Sequence, residues 1–113
     1  MTDNCIFCRI AKGEIPSSKV HEDDDLIVFK DIHPAAPVHL LMIPKEHIEN
    51  LITAESRHQS LFGRMLALAP RLAREQGATD GFRIVINNGP DGGQEVYHLH
   101  VHVLGGPRPW KRF

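Results

Sequence analysis

The sequence has no apolar run long enough to cross a bilayer as a helix, so a membrane-spanning helix is excluded from its organisation. Nor does charge of either sign dominate: 13 Lys and Arg stand against 14 Asp and Glu, a formal net charge of −1. Without a basic footprint no nucleic-acid partner is expected, and any phosphate handled here is met locally. Cysteine is scarce. Cys5 and Cys8 form one C-x-x-C, too few for a disulfide framework, and in a reducing compartment that spacing points to metal or redox chemistry. Internal repeats and low-complexity segments are absent. Met1-Thr2-Asp3-Asn4 lacks the basic and apolar regions of a signal peptide, so a cytoplasmic location and no membrane partner are expected.

What is present is an ordinary globular composition, 42% hydrophobic and 24% charged over 113 residues. That suits a single domain, 1–113, with one core. Against this background the histidines stand out, because three of eight fall within Tyr97-His98-Leu99-His100-Val101-His102-Val103-Leu104. Read as a strand, this stretch puts three imidazoles on one face and Leu99, Val101 and Val103 on the other. Each imidazole brings polar nitrogens that need partners if buried, so packing alone does not account for three in a row.

The rest of the chain reads as short strands around one long helix. Cys5 to Lys12 has the apolar spacing of a helical turn (Ile6, Phe7, Ile10), closed by Gly13. Strands are predicted at Lys19–Glu22 and Leu26–Asp31, joined by the acidic turn at Asp23-Asp24-Asp25. Two prolines make Ile32–Pro37 a loop, Val38–Ile43 is a third strand with His39 on the face of Leu41 and Ile43, and Lys45–Ile48 a turn or short helix. Ser56-x-x-Gln59 has the form of a capping box, followed by Leu61, Met65, Leu68, Ala69 and Leu72 at helical spacing up to Gly77. Pro70 inside that helix costs on the order of 3 kcal/mol and predicts a kink. Phe82–Asn87 alternates as a fourth strand, and Asn88–Gly93 is a turn-rich loop leading into the histidines. Trp110 and Phe113 in the tail, 105–113, are expected to dock on this subunit or on a partner. Together these elements predict an α+β fold, a mostly antiparallel five-stranded sheet with one long helix and a short N-terminal one.

Two chemistries compete for the histidines. Alternate imidazoles on a strand can chelate a metal with an open site for water. Here Val103-Leu104-Gly105-Gly106 follows with no carboxylate ligand. Alternatively an imidazole is itself the nucleophile, since near neutral pH it offers a lone pair without a base to strip it. The preceding glycine-rich loop bares backbone N–H groups suited to phosphate oxygens, so phosphoryl transfer to histidine fits both features.

At Gly92-Gly93-Gln94-Glu95-Val96-Tyr97-His98-Leu99-His100-Val101-His102-Val103-Leu104-Gly105-Gly106 the chain resembles the histidine triad (HIT) family, in its nucleotide-binding Hint branch. The likeness extends through Ile6-Phe7, Glu14-Ile15-Pro16, Phe29-x-Asp31-Ile32 and Pro37-x-His39. It implies a HIT-like domain whose sheet continues across a homodimer, and a nucleotidyl hydrolase acting on purine (AMP or GMP) 5′-phosphoramidates or related derivatives. A nucleotide-binding regulatory module with little turnover, or a dinucleoside polyphosphate hydrolase, are the alternatives. By the resemblance His100 is the nucleophile, with His98, His102 and His39 completing the catalytic set. Asp31 holds the ribose, Ile6, Phe7, Phe29, Ile32 and Leu41 surround the base, and Asn87, Gly93, Gln94, Glu95 and Val96 meet the phosphate and leaving group. Cys5, Cys8, His47 and His98 resemble the structural zinc set of some HIT proteins, and no cofactor is required for the chemistry itself. Two departures concern specificity: His33 stands where serine is common, and the tail is short.

Overall fold

In the computed structural model, which describes residues 4–113, the strand segments assemble into one five-stranded antiparallel sheet. Strands β1 (Lys19–Glu22), β2 (Leu26–Lys30), β3 (Val38–Pro44), β4 (Phe82–Val85) and β5 (Val101–Gly105) lie in the order β1-β2-β3-β5-β4. Helices α1 (Ile6–Ala11) and α2 (Gln59–Glu75) complete the predicted α+β set. Central strands β2 and β3 read as nearly continuous apolar runs because both of their faces are covered. On one face Leu26, Val28, Leu40, Met42 and Val103 pack against Met65, Ala69 and Leu72 of α2. On the other, Ile27, Phe29, Leu41 and Ile43 meet Phe7 and Ile10 of α1. Helix α2 runs through Pro70 without interruption, and Pro70 faces solvent, so its missing N–H costs no buried bond.

Register is what builds the site. Leu41 lies opposite His102 and His39 opposite Leu104, which makes His39 and His102 diagonal neighbours on the face away from α2. Diagonal pairs are within reach of long or aromatic side chains, here two imidazoles.

Several boundaries depart from the sequence reading. The histidine strand begins at Val101 rather than Tyr97: Pro44 offers β5 no N–H, and Leu99 donates instead to the Ile48 carbonyl at 2.7 Å. His98 and His100 therefore precede the strand, and of the three triad histidines only His102 lies within β5. β2 ends at Lys30, β4 at Val85, and β3 includes Pro44. Lys45–Ile48 is irregular rather than helical. The helix cap sits one residue before Ser56, where the Glu55 N–H donates to Nδ1 of buried His58 at 3.0 Å ahead of a 3₁₀ turn, Ser56–His58. Both tail aromatics dock within this chain, Trp110 on Ala35, Ala36 and Leu104, and Phe113 on His39 and His102.

Candidate active site

Between α1, the ends of β2 and β3, and the loop before β5 lies a cleft of about 540 Å³, within the usual size of a small-molecule site. Its apolar end is made by Ile6, Phe7, Ile10, Ile15, Phe29, Leu41 and Val96; its polar end by Asp31, Asn87, Glu95, His100 and His102. Ile32, 85% exposed, flanks the same opening.

Hydrogen bonds assign the imidazole tautomers one by one. The Ala35 N–H donates to Nδ1 of His39 at 2.9 Å, which makes that nitrogen an acceptor and puts the ring proton on Nε2. His39 Nε2 then donates to Nδ1 of His102 at 2.9 Å, with Asp31 Oδ2 at 3.4 Å as a second acceptor. His102 is thus left with its proton on Nε2. His100 has the opposite arrangement: Nδ1–H donates to the His98 carbonyl at 2.8 Å, so Nε2 carries a lone pair and has no partner among the described residues. One ring offers a nucleophile and the next a donor.

Burial keeps these rings neutral. It lowers His102 from the ordinary 6.5 to about 4, with the neighbouring His100 and His39 pushing the same way. His100 is lowered first by burial, opposed by its bond to the His98 carbonyl and by Asp31 and Glu95. His39 is lowered by burial against the pull of Asp31.

The glycine loop is built differently from the expectation that it bares its amides. The N–H groups of Gly92, Gly93 and Gln94 already donate to Gly89 and Pro90 carbonyls, because the turns close on themselves. The N–H groups of Glu95 and Val96 have no partner among the described residues, and both residues line the cleft. Gly92 is required by close approach: a Cβ there would lie 2.3 Å from the Asn88 carbonyl oxygen. Asn87 Nδ2 donates to the Gly92 carbonyl at 2.7 Å and ties the loop to the strand end.

The Gln94 side chain is not brought to the cleft. It is buried, accepting from Asn50 Nδ2 and the Gly89 N–H while donating to the Glu49 and Val96 carbonyls, so it is scaffold for the loop. Asp31 is anchored by accepting the His33 N–H at 2.8 Å. Lys30, Ser17 and Arg112, not singled out beforehand, also line the cleft, as does Phe113, expected to dock but not at this site. The tail pair had no local signal, since only tertiary folding returns residues 112 and 113 to His102.

Next to the cleft a second cluster joins Cys5, Cys8, His47 and His98, whose ligand atoms all lie within 4.8 Å of one another. Cys5 Sγ is 3.2 Å and Cys8 Sγ 3.4 Å from Nδ1 of fully buried His98, and Nδ1 of His47 is 3.2 Å from Cys8 Sγ. His98 Nε2 donates to the Pro44 carbonyl at 2.8 Å, which leaves Nδ1 as a lone-pair ligand. A tetrahedral zinc with two sulfur and two nitrogen ligands sets neighbouring ligands about 3.5 Å apart, so this donor set fits that ion. Without a cation, burial and the neighbouring Cys5 push the Cys8 thiol up to about 11.

Comparison with known proteins agrees with this geometry. A family model described as "Scavenger mRNA decapping enzyme C-term binding" matches residues 4–111. Protein HitA of Neisseria gonorrhoeae is 54% identical over 105 residues, covering 93% of this chain and 98% of HitA. A 14 kDa zinc-binding protein of Brassica juncea is 50% identical, with 89% and 91% covered, and Adenylylsulfatase HINT1 of Arabidopsis thaliana is 50% identical, with 89% and 70% covered. Among solved structures, a HIT family hydrolase from Legionella pneumophila superposes with a TM-score of 0.88 at 46% identity, covering 93% of this chain and 95% of that one.

Proposed function

We propose, from the premise that this chain belongs to the histidine triad family of nucleotide hydrolases, that it cleaves purine nucleoside 5′-phosphoramidates and related AMP or GMP derivatives through a nucleotidyl-His100 intermediate. The observation that carries the reading is the opposed tautomers of His100 and His102 at one end of the cleft. His100 Nε2 attacks phosphorus, a P–N bond to the imidazole forms, and the bond to the leaving nitrogen breaks, that nitrogen departing with a proton from solvent. The Nδ1–H bond to the His98 carbonyl supports the positive charge that the ring then acquires. His102 Nε2–H and the free N–H groups of Glu95 and Val96 supply donors for the phosphoryl oxygens. Water next attacks phosphorus, the P–N bond to His100 breaks, and the two inversions give net retention. Asp31 takes the ribose hydroxyls, and the apolar end of the cleft takes the base.

The relative named as a zinc-binding protein and the fit of Cys5, Cys8, His47 and His98 support a structural zinc, which supplies folding free energy and no step of the reaction. The proposal extends to a cytoplasmic homodimer. Of the sheet's two edges, β1 carries Lys19 and Glu22, charges that discourage pairing. β4 is the edge at which a second copy continues the sheet.

His100→Ala should abolish turnover and retain nucleotide binding to within about threefold, because phosphate, ribose and base contacts persist. Turnover assays, calorimetry with AMP and rapid-quench trapping of one nucleoside monophosphate per chain check this. Inversion at phosphorus with no trapped adduct would overturn the covalent scheme.

A further inference from the structure

Asn50 and Gln94 are 3% and 7% exposed, neither lines the cleft, and both direct their polar atoms at the loop before β5. Burying two amides costs free energy unless each polar atom finds a partner, and here each does. Asn50 Nδ2 donates to Gln94 Oε1 at 3.0 Å, while Asn50 Oδ1 accepts the N–H groups of Ile52 and Thr53 at 2.9 and 3.2 Å. Gln94 Oε1 accepts a second bond from the Gly89 N–H at 2.9 Å, and its Nε2 donates to the Glu49 and Val96 carbonyls at 2.8 and 3.0 Å. These partners allow Gln94 one orientation. Turned over, its oxygen would face two carbonyls and its NH2 group would face two donors.

The Gln94 amide therefore joins residue 49 to residues 89 and 96, and Asn50 holds it from behind. A second tie runs from the Leu51 N–H to Asn88 Oδ1 at 2.8 Å. Between the ties lie Glu95 and Val96, which have no regular secondary structure of their own to fix them. They line the cleft with His100, and their N–H groups are without a partner among the described residues. The bond from Gln94 to the Val96 carbonyl fixes the peptide next to those two N–H groups.

We propose that Asn50 is a positioning residue for phosphoryl transfer: acting through Gln94, it fixes the Glu95 and Val96 amides where negative charge collects on the phosphoryl oxygens. The inference rests on the hydrolase reading above and adds to it a residue that does not touch the substrate. Donors stabilise a developing charge most when they are already in place, since no reorganisation is then needed at the moment of reaction. With Asn50 Nδ2 removed, Gln94 Oε1 keeps one of its two donors, the amide is free to turn, and the Val96 carbonyl is released with it.

The test uses the full chain as wild type, N50D, N50S, Q94A and N50D/Q94A. Calorimetry measures affinity for AMP and for adenosine, and turnover is measured on adenosine 5′-phosphoramidate. N50D keeps an oxygen for the Ile52 and Thr53 N–H groups but sets a carboxylate oxygen against Gln94 Oε1. N50S keeps the turn through its hydroxyl, lacks the donor and adds no charge. Both should weaken AMP binding about tenfold, leave adenosine within about twofold, and lower kcat by about 10- to 100-fold, the worth of one hydrogen bond to a charged group. In the Q94A background N50D should cost less than about twofold more, because the group through which Asn50 acts is gone. Equal losses of AMP and adenosine affinity, an unchanged kcat, or additive losses in the double variant would overturn the role of Asn50 and leave the hydrolase reading standing. A wild type that binds AMP but turns over no phosphoramidate would overturn the hydrolase reading and this role with it, an outcome that the wild-type assay alone identifies.

Discussion

His102 shows how burial sets the working range of a single residue. Its Nδ1 accepts from His39, and protonation there would force two N–H groups against each other. With its value held near 4, that event lies well below the 6.5 of an ordinary histidine. The unfolded chain therefore takes up protons between about 6.5 and 4 that the folded chain refuses, so stability is complete above 6.5 and falls as pH drops through this window. Thermal melts should show a midpoint several degrees lower at pH 5 than at pH 7.5, and the acid limb of turnover should lie below 6.5. A Tm that is level or rising over that interval would contradict a buried neutral His102.

At the scale of elements, α1 has two duties. Cys8 and its cap Cys5, which accepts the Cys8 N–H at 3.3 Å, face the His47–His98 cluster. Ile6, Phe7 and Ile10 from the same six-residue helix line the cleft. Phe7 meets the rings of His98 and His100 edge-on at 6.0 and 5.1 Å. A helix this short has little stability of its own, so its position depends on what it is tied to. On the proposed structural zinc, wild type should carry about one zinc per chain and Cys8→Ser should carry none, and the substitution should also weaken AMP binding by about tenfold, since 1.4 kcal/mol of lost wall ordering is that factor. Calorimetry that finds unchanged affinity in metal-free protein would separate the two duties.

For the whole molecule, the sheet order leaves β4 with a neighbour on one side only. Half-exposed Phe82 begins that strand, and Leu51, Ile52 and Tyr97 are further exposed apolar side chains, among which Ile52 is 73% accessible. Light scattering on purified protein should give twice the 12.7 kDa of one chain. Proline at Ile84 should shift the mass to that of the monomer, because it removes a backbone donor from the strand. A monomeric mass for the unmodified protein would remove the continuous sheet.

Residue order alone carried the α+β class, the apolar runs of β2 and β3, the amphipathic face of α2 and the clustering of three imidazoles, which follow from periodicity and side-chain chemistry and are local. The roles of His39, His47 and His100 came from the family resemblance. Tertiary structure decided what depends on distant partners. Pro44 and Ile48 drew His98 out of the strand and handed it to the cysteines. The closed glycine turns moved the free amides to Glu95 and Val96, and a network of four bonds turned the Gln94 side chain inward. Neither the proton positions on His39, His100 and His102 nor the return of Arg112 to the cleft can be read from spacing. Each proton position is fixed by a single acceptor or donor, such as the Ala35 amide, and the tail by several bonds, including Lys111 to Ala35, that only the folded chain brings within reach.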